Sequence, residues 1–153
     1  MRLKRLLILY HSQSGAAHKL AGGVAAGAKL EQSIELKVHL ALEAELADLL
    51  WADGLIVVTP ENFGAMSGAV KDFFDRTFYP AQVHAINIPY MMVVSAGNDG
   101  RGAVSQLQRI CRGYPMKQVA EPLIVLGEPS AADIDMAAEL GQAMAAGLAI
   151  GIF

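Results

Sequence analysis

Three polar, glycine-containing stretches each follow an apolar run: "HSQSGAA" at 11–17, "TPENFGAMSG" at 59–68 and "SAGNDGRG" at 95–102. A plain turn needs only one or two polar residues, so three elaborate ones suggest a ligand. In the first, Ser12 and Ser14 bring hydroxyls, and the backbone N–H groups of Gln13 to Ala17 precede an alanine-rich helical pattern. Hydroxyls and free N–H groups at a helix N-terminus form an anion site with a favourable dipole. Gly15 lets the backbone approach that anion closely. The stretch has no lysine at Walker spacing and no G-x-G-x-x-G, which disfavours a nucleoside triphosphate or a dinucleotide. A single phosphate monoester, as in FMN, fits better. Taken alone, the loop equally suits a Ser12 or Ser14 that merely caps the helix.

The elements that must position these loops are legible in the hydrophobic pattern. Short apolar runs recur at "RLLILY" (5–10), "GLIVVTP" (54–60), "PYMMVVSAG" (89–97) and "PLIVLG" (122–127). Continuous runs of this length suit strands buried on both faces of a parallel sheet. The alternating "IELKVHL" (34–40) puts Ile34, Leu36, Val38 and Leu40 on one face, as an edge strand would. Helical stripes lie between: Ala17, Leu20, Ala21, Val24 and Ala28; Val70, Phe73, Phe74 and Phe78; Val104, Leu107, Ile110 and Cys111. A last helix is predicted from Ser130, with Asp133 completing a capping box and Ile134, Ala137, Met144 and Leu148 facing inward. Gly22, Gly23 and Gly27 weaken the first helix and are expected to permit its close packing on the sheet.

Strand and helix thus alternate five times, which predicts an α/β, doubly wound, three-layer αβα domain. Its five-stranded parallel sheet should have the flavodoxin-like order 2-1-3-4-5. In such a sheet ligands bind beyond the carboxyl ends of the strands, where all three loops fall. Tyr79 and His84, and likewise Trp51 and Tyr114, precede strands and so belong to the opposite end, in packing roles. Cys111, the only cysteine, occupies an apolar helical position and offers neither a disulfide nor a metal-ligand spacing. No metal site is expected.

Composition narrows the classes further. The 153 residues suit a single domain, 1–153, with 54% hydrophobic and 18% charged residues and a net charge of −3. Basic residues form no stripe, so no nucleic-acid partner is expected. No apolar run approaches the ~18 residues of a membrane span. The start "MRLKRLLILYHSQSG" has the basic-then-apolar order of a signal peptide. Its apolar part is short and enters the polar loop without a cleavage site, so it is read as the first strand and the protein as cytoplasmic.

Taken together the three loops resemble those of the flavodoxin-like NAD(P)H:quinone oxidoreductases and the related NADPH-dependent FMN reductases. "SQSGAAHKLA" resembles the family's phosphate loop. "ADGLIVVTPENFGAMSGAVKDFFDRT" carries a T-P-x-x-F-G-x-M-S-G pattern followed by F-x-D-R, and "MMVVSAGNDGRGAV" resembles the third flavin loop. The likeness spans roughly residues 5 to 125 in order and register. It implies a flavodoxin-like FMN-binding domain whose phosphate lies on Ser12, Gln13, Ser14, Gly15, Ala16 and Ala17. Pro60, Glu61, Asn62, Phe63 and Gly64 would line one side of the isoalloxazine. Ser95, Ala96, Gly97, Asn98, Asp99 and Gly102 would line the other side and the ribityl chain.

The implied activity is FMN-dependent transfer of hydride or electrons from NAD(P)H to a quinone or similar small acceptor, with no catalytic side chain beyond the cofactor. Ala17 stands where many relatives carry a threonine, and the third loop lacks the stacking aromatic common in electron-carrying flavodoxins. The alternatives are a flavodoxin-type one-electron carrier and a flavin-free binding protein that kept the fold. Near-balanced charge and the missing aromatic favour the reductase, since carriers use strongly acidic docking faces. Homo-oligomerisation, the acceptor, and the choice between NADH and NADPH stay open at this level.

Overall fold

The computed structural model describes residues 2–153. Strand β1 (Lys4–Tyr10) leads to helix α1 (Ala16–Ala28), β2 (Ile34–Leu40), α2 (Leu46–Trp51) and β3 (Gly54–Asn62). After β3 come β4 (Ala65–Met66), α3 (Gly68–Ala81), β5 (Pro89–Ala96) and α4 (Arg101–Gly113). The chain ends with β6 (Lys117–Gln118), β7 (Leu123–Leu126) and α5 (Ala131–Ile150). The order across the sheet is β2-β1-β3-β5, with β6 and β7 both parallel to β5. The expected fifth strand is therefore one edge strand in two pieces, interrupted between Gln118 and Leu123. With that allowance the doubly wound, flavodoxin-like order holds. The antiparallel β3–β4 hairpin is an addition that the hydrophobic pattern does not show.

Alternate residues of the central strands feed two separate cores, as a sheet covered on both faces requires. Leu7, Leu9, Leu55, Val57, Met92 and Val94 pack with α2, α3 and α4 through Leu49, Phe73, Phe74, Leu107 and Cys111. Leu6, Ile8, Ile56, Val58, Met91 and Val93 pack with α1 and α5 through Leu20, Val24, Met144 and Leu148.

Gly23 and Gly27 of α1 pack against α5, not against the sheet as expected, and Gly22 is exposed with open space around it. A Cβ on Gly27 would lie 1.8 Å from the Ala138 carbonyl oxygen, and one on Gly23 would lie 3.0 Å from that of Ile134. Gly141 of α5 reciprocates, its Cβ position being 2.1 Å from the Val24 carbonyl oxygen. The two helices share one face of the sheet, so the tight approach is helix to helix.

The amino end of the sheet is closed by side chains. Asp53 accepts from both Arg2 guanidinium nitrogens (2.7 and 3.0 Å) and from the Arg5 N–H (2.9 Å). The Lys37 ammonium lies 4.4 Å from the centre of the Trp51 ring. The Tyr114 hydroxyl donates to the Phe74 carbonyl at 2.8 Å and lies 2.8 Å from the Thr77 hydroxyl. Trp51 and Tyr114 thus serve packing, at the end away from the three loops.

Candidate functional site

All five helices begin at the carboxyl end of the sheet, each facing the same problem. The first N–H groups of a helix have no intrahelical acceptor. At α2, Glu45 and Asp48 form a capping box. Ser67 accepts from the Val70 N–H at α3, and Ser130 with Asp133 forms a second capping box at α5. Helix α4 starts at Gly100 (φ 96°), whose missing side chain cannot cap it. Asp99 Oδ1 accepts from the Arg101 N–H at 3.1 Å, and the other acceptor comes from a distant loop: Glu61 accepts from the Gly100 N–H through Oε1 at 2.8 Å and from the Ala103 N–H through Oε2 at 3.2 Å.

Only α1 differs. It starts at Gly15 (φ 107°), with no side-chain acceptor and no acidic residue in its first turn. The Ser12 hydroxyl accepts from the Gly15 N–H at 3.1 Å, which fixes the loop. The first backbone bond back to the loop is donated by the Lys19 N–H to the Gly15 carbonyl, so the N–H groups of Ala16, Ala17 and His18 stay free. A Cβ on Gly15 would meet no atom within 4 Å, so the space before this helix is open. A positive dipole end with three free donors suits a phosphate monoester.

The second loop is a two-residue hairpin in which Phe63 (φ 54°) and Gly64 (φ 72°) both take left-handed conformations. That is the geometry of a type I′ turn, which favours Asn-Gly and strains a bulky residue. Phe63 stands fully exposed at its tip. The hairpin rests on α4: the Met66 N–H donates to Gln106 Oε1 at 3.0 Å, and a Cβ on Gly102 would lie 2.0 Å from the Gly64 carbonyl oxygen. Within the loop, the Ser67 N–H donates to the Thr59 hydroxyl at 3.1 Å. Asn62 Nδ2 donates to Gln13 Oε1 at 3.3 Å and joins this loop to the first.

Between these parts lies a cleft of about 560 Å³, within the size range of small-molecule sites. From the sequence-derived set it is lined by Gln13, Ser14, Ala16, Pro60, Glu61, Asn62, Phe63, Ser95, Ala96 and Gly97. The others take supporting places. Ser12 and Gly15 shape the first turn, the Ala17 methyl is buried in the core under α1, and Gly64 and Gly102 form the hairpin–helix contact. Asn98 and Asp99 are exposed at the rim. Asp99 pairs with Arg101 at 2.7 Å, and this bond holds its carboxyl below the ordinary value.

Gly127 and Glu128, just after β7, also line the cleft and escape sequence reasoning. Glu128 pairs with Lys19 of α1 across the rim. A second groove of similar volume lies between α3 and α4, walled by Phe74, Phe78, Tyr79 and Arg109. It lacks free helix N–H groups, and the three loops converge elsewhere. Cys111 is fully buried, and burial pushes its thiol up to about 12, so it is no nucleophile at neutral pH.

Comparison with known proteins shows the family and the fold. Residues 28–129, about two thirds of the chain, match the family model "NADPH-dependent FMN reductase". A flavodoxin from Aquifex aeolicus (strain VF5) is 39% identical over 71 residues, covering 46% of this chain and 38% of that protein. An NAD(P)H dehydrogenase (quinone) from Acidithiobacillus ferrooxidans is 34% identical over 95 residues, covering 49% of this chain and 48% of that protein. The matches thus span less than half the length of these curated relatives. Among solved structures, a flavodoxin from the domain Archaea superposes with a TM-score of 0.84 at 19% identity, over 94% of this chain and 98% of the other. A WrbA-like flavodoxin from Agrobacterium tumefaciens gives 0.78 at 22% identity, over 94% and 96%. At these identities the likeness is one of fold.

Proposed function

The chain belongs to the NADPH-dependent FMN reductase family, a flavodoxin-like family of FMN-binding oxidoreductases, and on that premise we propose that it carries FMN in the carboxyl-end cleft and passes reducing equivalents from NAD(P)H to a quinone-like acceptor. The observation that carries the proposal is the open N-terminus of α1, the one helix start among five with no protein acceptor among the described residues. The N–H groups of Ala16, Ala17 and His18, together with the Ser14 hydroxyl, would hold the phosphate. The 60–64 hairpin and residues 95–97 would flank the ring.

When bound, FMN supplies the hydride and electron chemistry. The protein's part is to orient the ring, exclude water from one side and leave the other open. Phe63 is the only aromatic side chain among the cleft-lining residues. With FMN bound there, no second aromatic among the lining residues would cover the ring, and a planar nicotinamide or quinone would have the close approach that direct hydride transfer requires. The quinone assignment draws on the name of the Acidithiobacillus ferrooxidans relative.

The test is anaerobic stopped-flow mixing of FMN-loaded protein with NADH and with NADPH, followed by a soluble quinone. Bleaching of the flavin band by a nicotinamide nucleotide, and its return with quinone, is the expected result. If neither nucleotide bleaches the band while a partner reductase protein does, the protein is an electron carrier.

A further inference from the structure

The contact between the 61–66 hairpin and α4 has the form of a clip. Glu61 and Gly100 are far apart in sequence, yet one carboxylate accepts from two N–H groups of the α4 start, at 2.8 and 3.2 Å. The only local acceptor at this helix start among the described residues is Asp99, which takes the Arg101 N–H, so the Glu61 anion takes two other first-turn donors and also meets the positive end of the dipole. Two further contacts repeat the attachment. Gln106, one turn along α4, accepts from the Met66 N–H at 3.0 Å. Gly102 lets the Gly64 carbonyl sit where any Cβ would be, 2.0 Å away. The hairpin carries Phe63 and α4 begins where the 95–100 loop ends, so the clip ties together two of the cleft's walls.

We propose that Glu61 is a positioning residue, whose carboxylate locks the hairpin to the first turn of α4 and so fixes the separation of the two walls that flank the ring of a bound flavin. This rests on the reading of the cleft as an FMN site. The carboxylate is committed to backbone donors and acts through the hairpin, not on the reacting atoms. The phosphate end of the cleft is formed by the α1 start, which the hairpin touches through the single side-chain bond from Asn62 to Gln13 and not through Glu61. Loss of the clip should therefore weaken FMN and riboflavin by the same factor, whereas damage to the α1 start should affect FMN alone.

Glu61→Gln keeps the shape but presents an amide nitrogen to one of the two N–H donors, so one bond is lost and with it the charge. Hydrogen exchange in flavin-free protein should show faster exchange of the Gly100 and Ala103 amides and of the hairpin. Fluorescence titration should show FMN and riboflavin each weakened on the order of tenfold, the loss of about one charge-assisted hydrogen bond. The visible circular dichroism of bound flavin should also change, because the walls have moved. Gln106→Ala, which breaks a weaker part of the clip, should shift both affinities the same way by a smaller factor and serves if Glu61→Gln does not fold.

Unchanged exchange at Gly100 and Ala103 would overturn the clip. Faster exchange with flavin affinities and dichroism unmoved would overturn its positioning role. A loss confined to FMN would place Glu61 at the phosphate end and overturn the proposal as well. An unmutated protein that binds neither flavin would instead overturn the FMN reading beneath it.

Discussion

The two ends of the sheet are built from the same strands and solve opposite problems. At the amino end polar side chains pair with the protein itself: Asp53 takes three donors from Arg2 and Arg5, and Tyr114 is tied to Phe74 and Thr77. Left-handed backbone is more frequent at the carboxyl end. Gly15, Phe63, Gly64, Gly100 and Gly127 have positive φ there, against Ala85 and Gly151 at the other end. Strained or glycine-dependent conformations persist where surrounding contacts enforce them, and they concentrate at functional sites. One end is closed by its own side chains, and the other keeps an open cleft with free backbone donors at the start of α1.

The largest effect should come from forcing the carboxyl end apart. Gly102→Ala places a methyl where the Gly64 carbonyl oxygen now sits. Overpacking of this kind costs about 1–3 kcal/mol. If the hairpin moves to relieve it, FMN affinity falls by roughly 10- to 100-fold, as a fluorescence titration would show. Unchanged affinity would mean that the hairpin is not a wall of the site.

Gly15→Val comes next. A β-branched residue is poorly accommodated at φ 107°, so the start of α1 must rearrange although no protein atom lies in the way. FMN should weaken by about tenfold more than riboflavin, which lacks the phosphate. Equal losses, measured by parallel titrations, would detach the phosphate from α1.

A smaller effect, of opposite sign in stability and binding, is expected at the hairpin tip. Phe63→Asn supplies the residue that a type I′ turn prefers before Gly64, and should raise stability by up to about 1 kcal/mol. It also removes the only aromatic wall, so flavin affinity should drop. Thermal denaturation and titration on the same sample check both signs.

At the amino end, Asp53→Asn should cost about 1 kcal/mol or less at neutral pH, because the pair with Arg2 is partly exposed. Hydrogen bonding from Arg2, the leading cause, lowers the Asp53 carboxyl below its ordinary 3.8. A depressed folded value stabilises the charged form, so the contribution is complete above the ordinary value and is lost as pH falls through the folded one. The stabilities of the two proteins should therefore converge in acid, while FMN affinity stays the same at neutral pH. A changed affinity would show that the two ends are coupled.

How much of this was legible in the sequence follows from what each feature depends on. The runs at 5–10, 54–60 and 89–97 are buried on both faces, so their continuity marks the central strands directly. The Ser130–Asp133 box was readable for a different reason: it lies within four consecutive residues. The β3–β4 hairpin was not, because Phe63-Gly64 lacks the Asn-Gly signal and the turn is imposed by α4. Gly127 and Glu128 reach the cleft only because β7 pairs with β5, a long-range fact. The partner of the α1 glycines had a visible sign in Gly141, but nothing local said that α1 and α5 share a face. Of the site residues, sequence order placed the loops together. It did not distinguish a lining residue such as Gln13 from Ala17, whose methyl faces the core, or from Gly102, which makes room for another loop.

The central claim is that the carboxyl-end cleft holds FMN with its phosphate on the open start of α1. Calorimetric titration of the purified, flavin-free protein with FMN and with riboflavin tests it most directly. The account predicts saturable FMN binding with Kd at or below about 1 μM, near −8 kcal/mol, and riboflavin at least about tenfold weaker. Equal affinities, or no FMN binding at tens of micromolar, would contradict it.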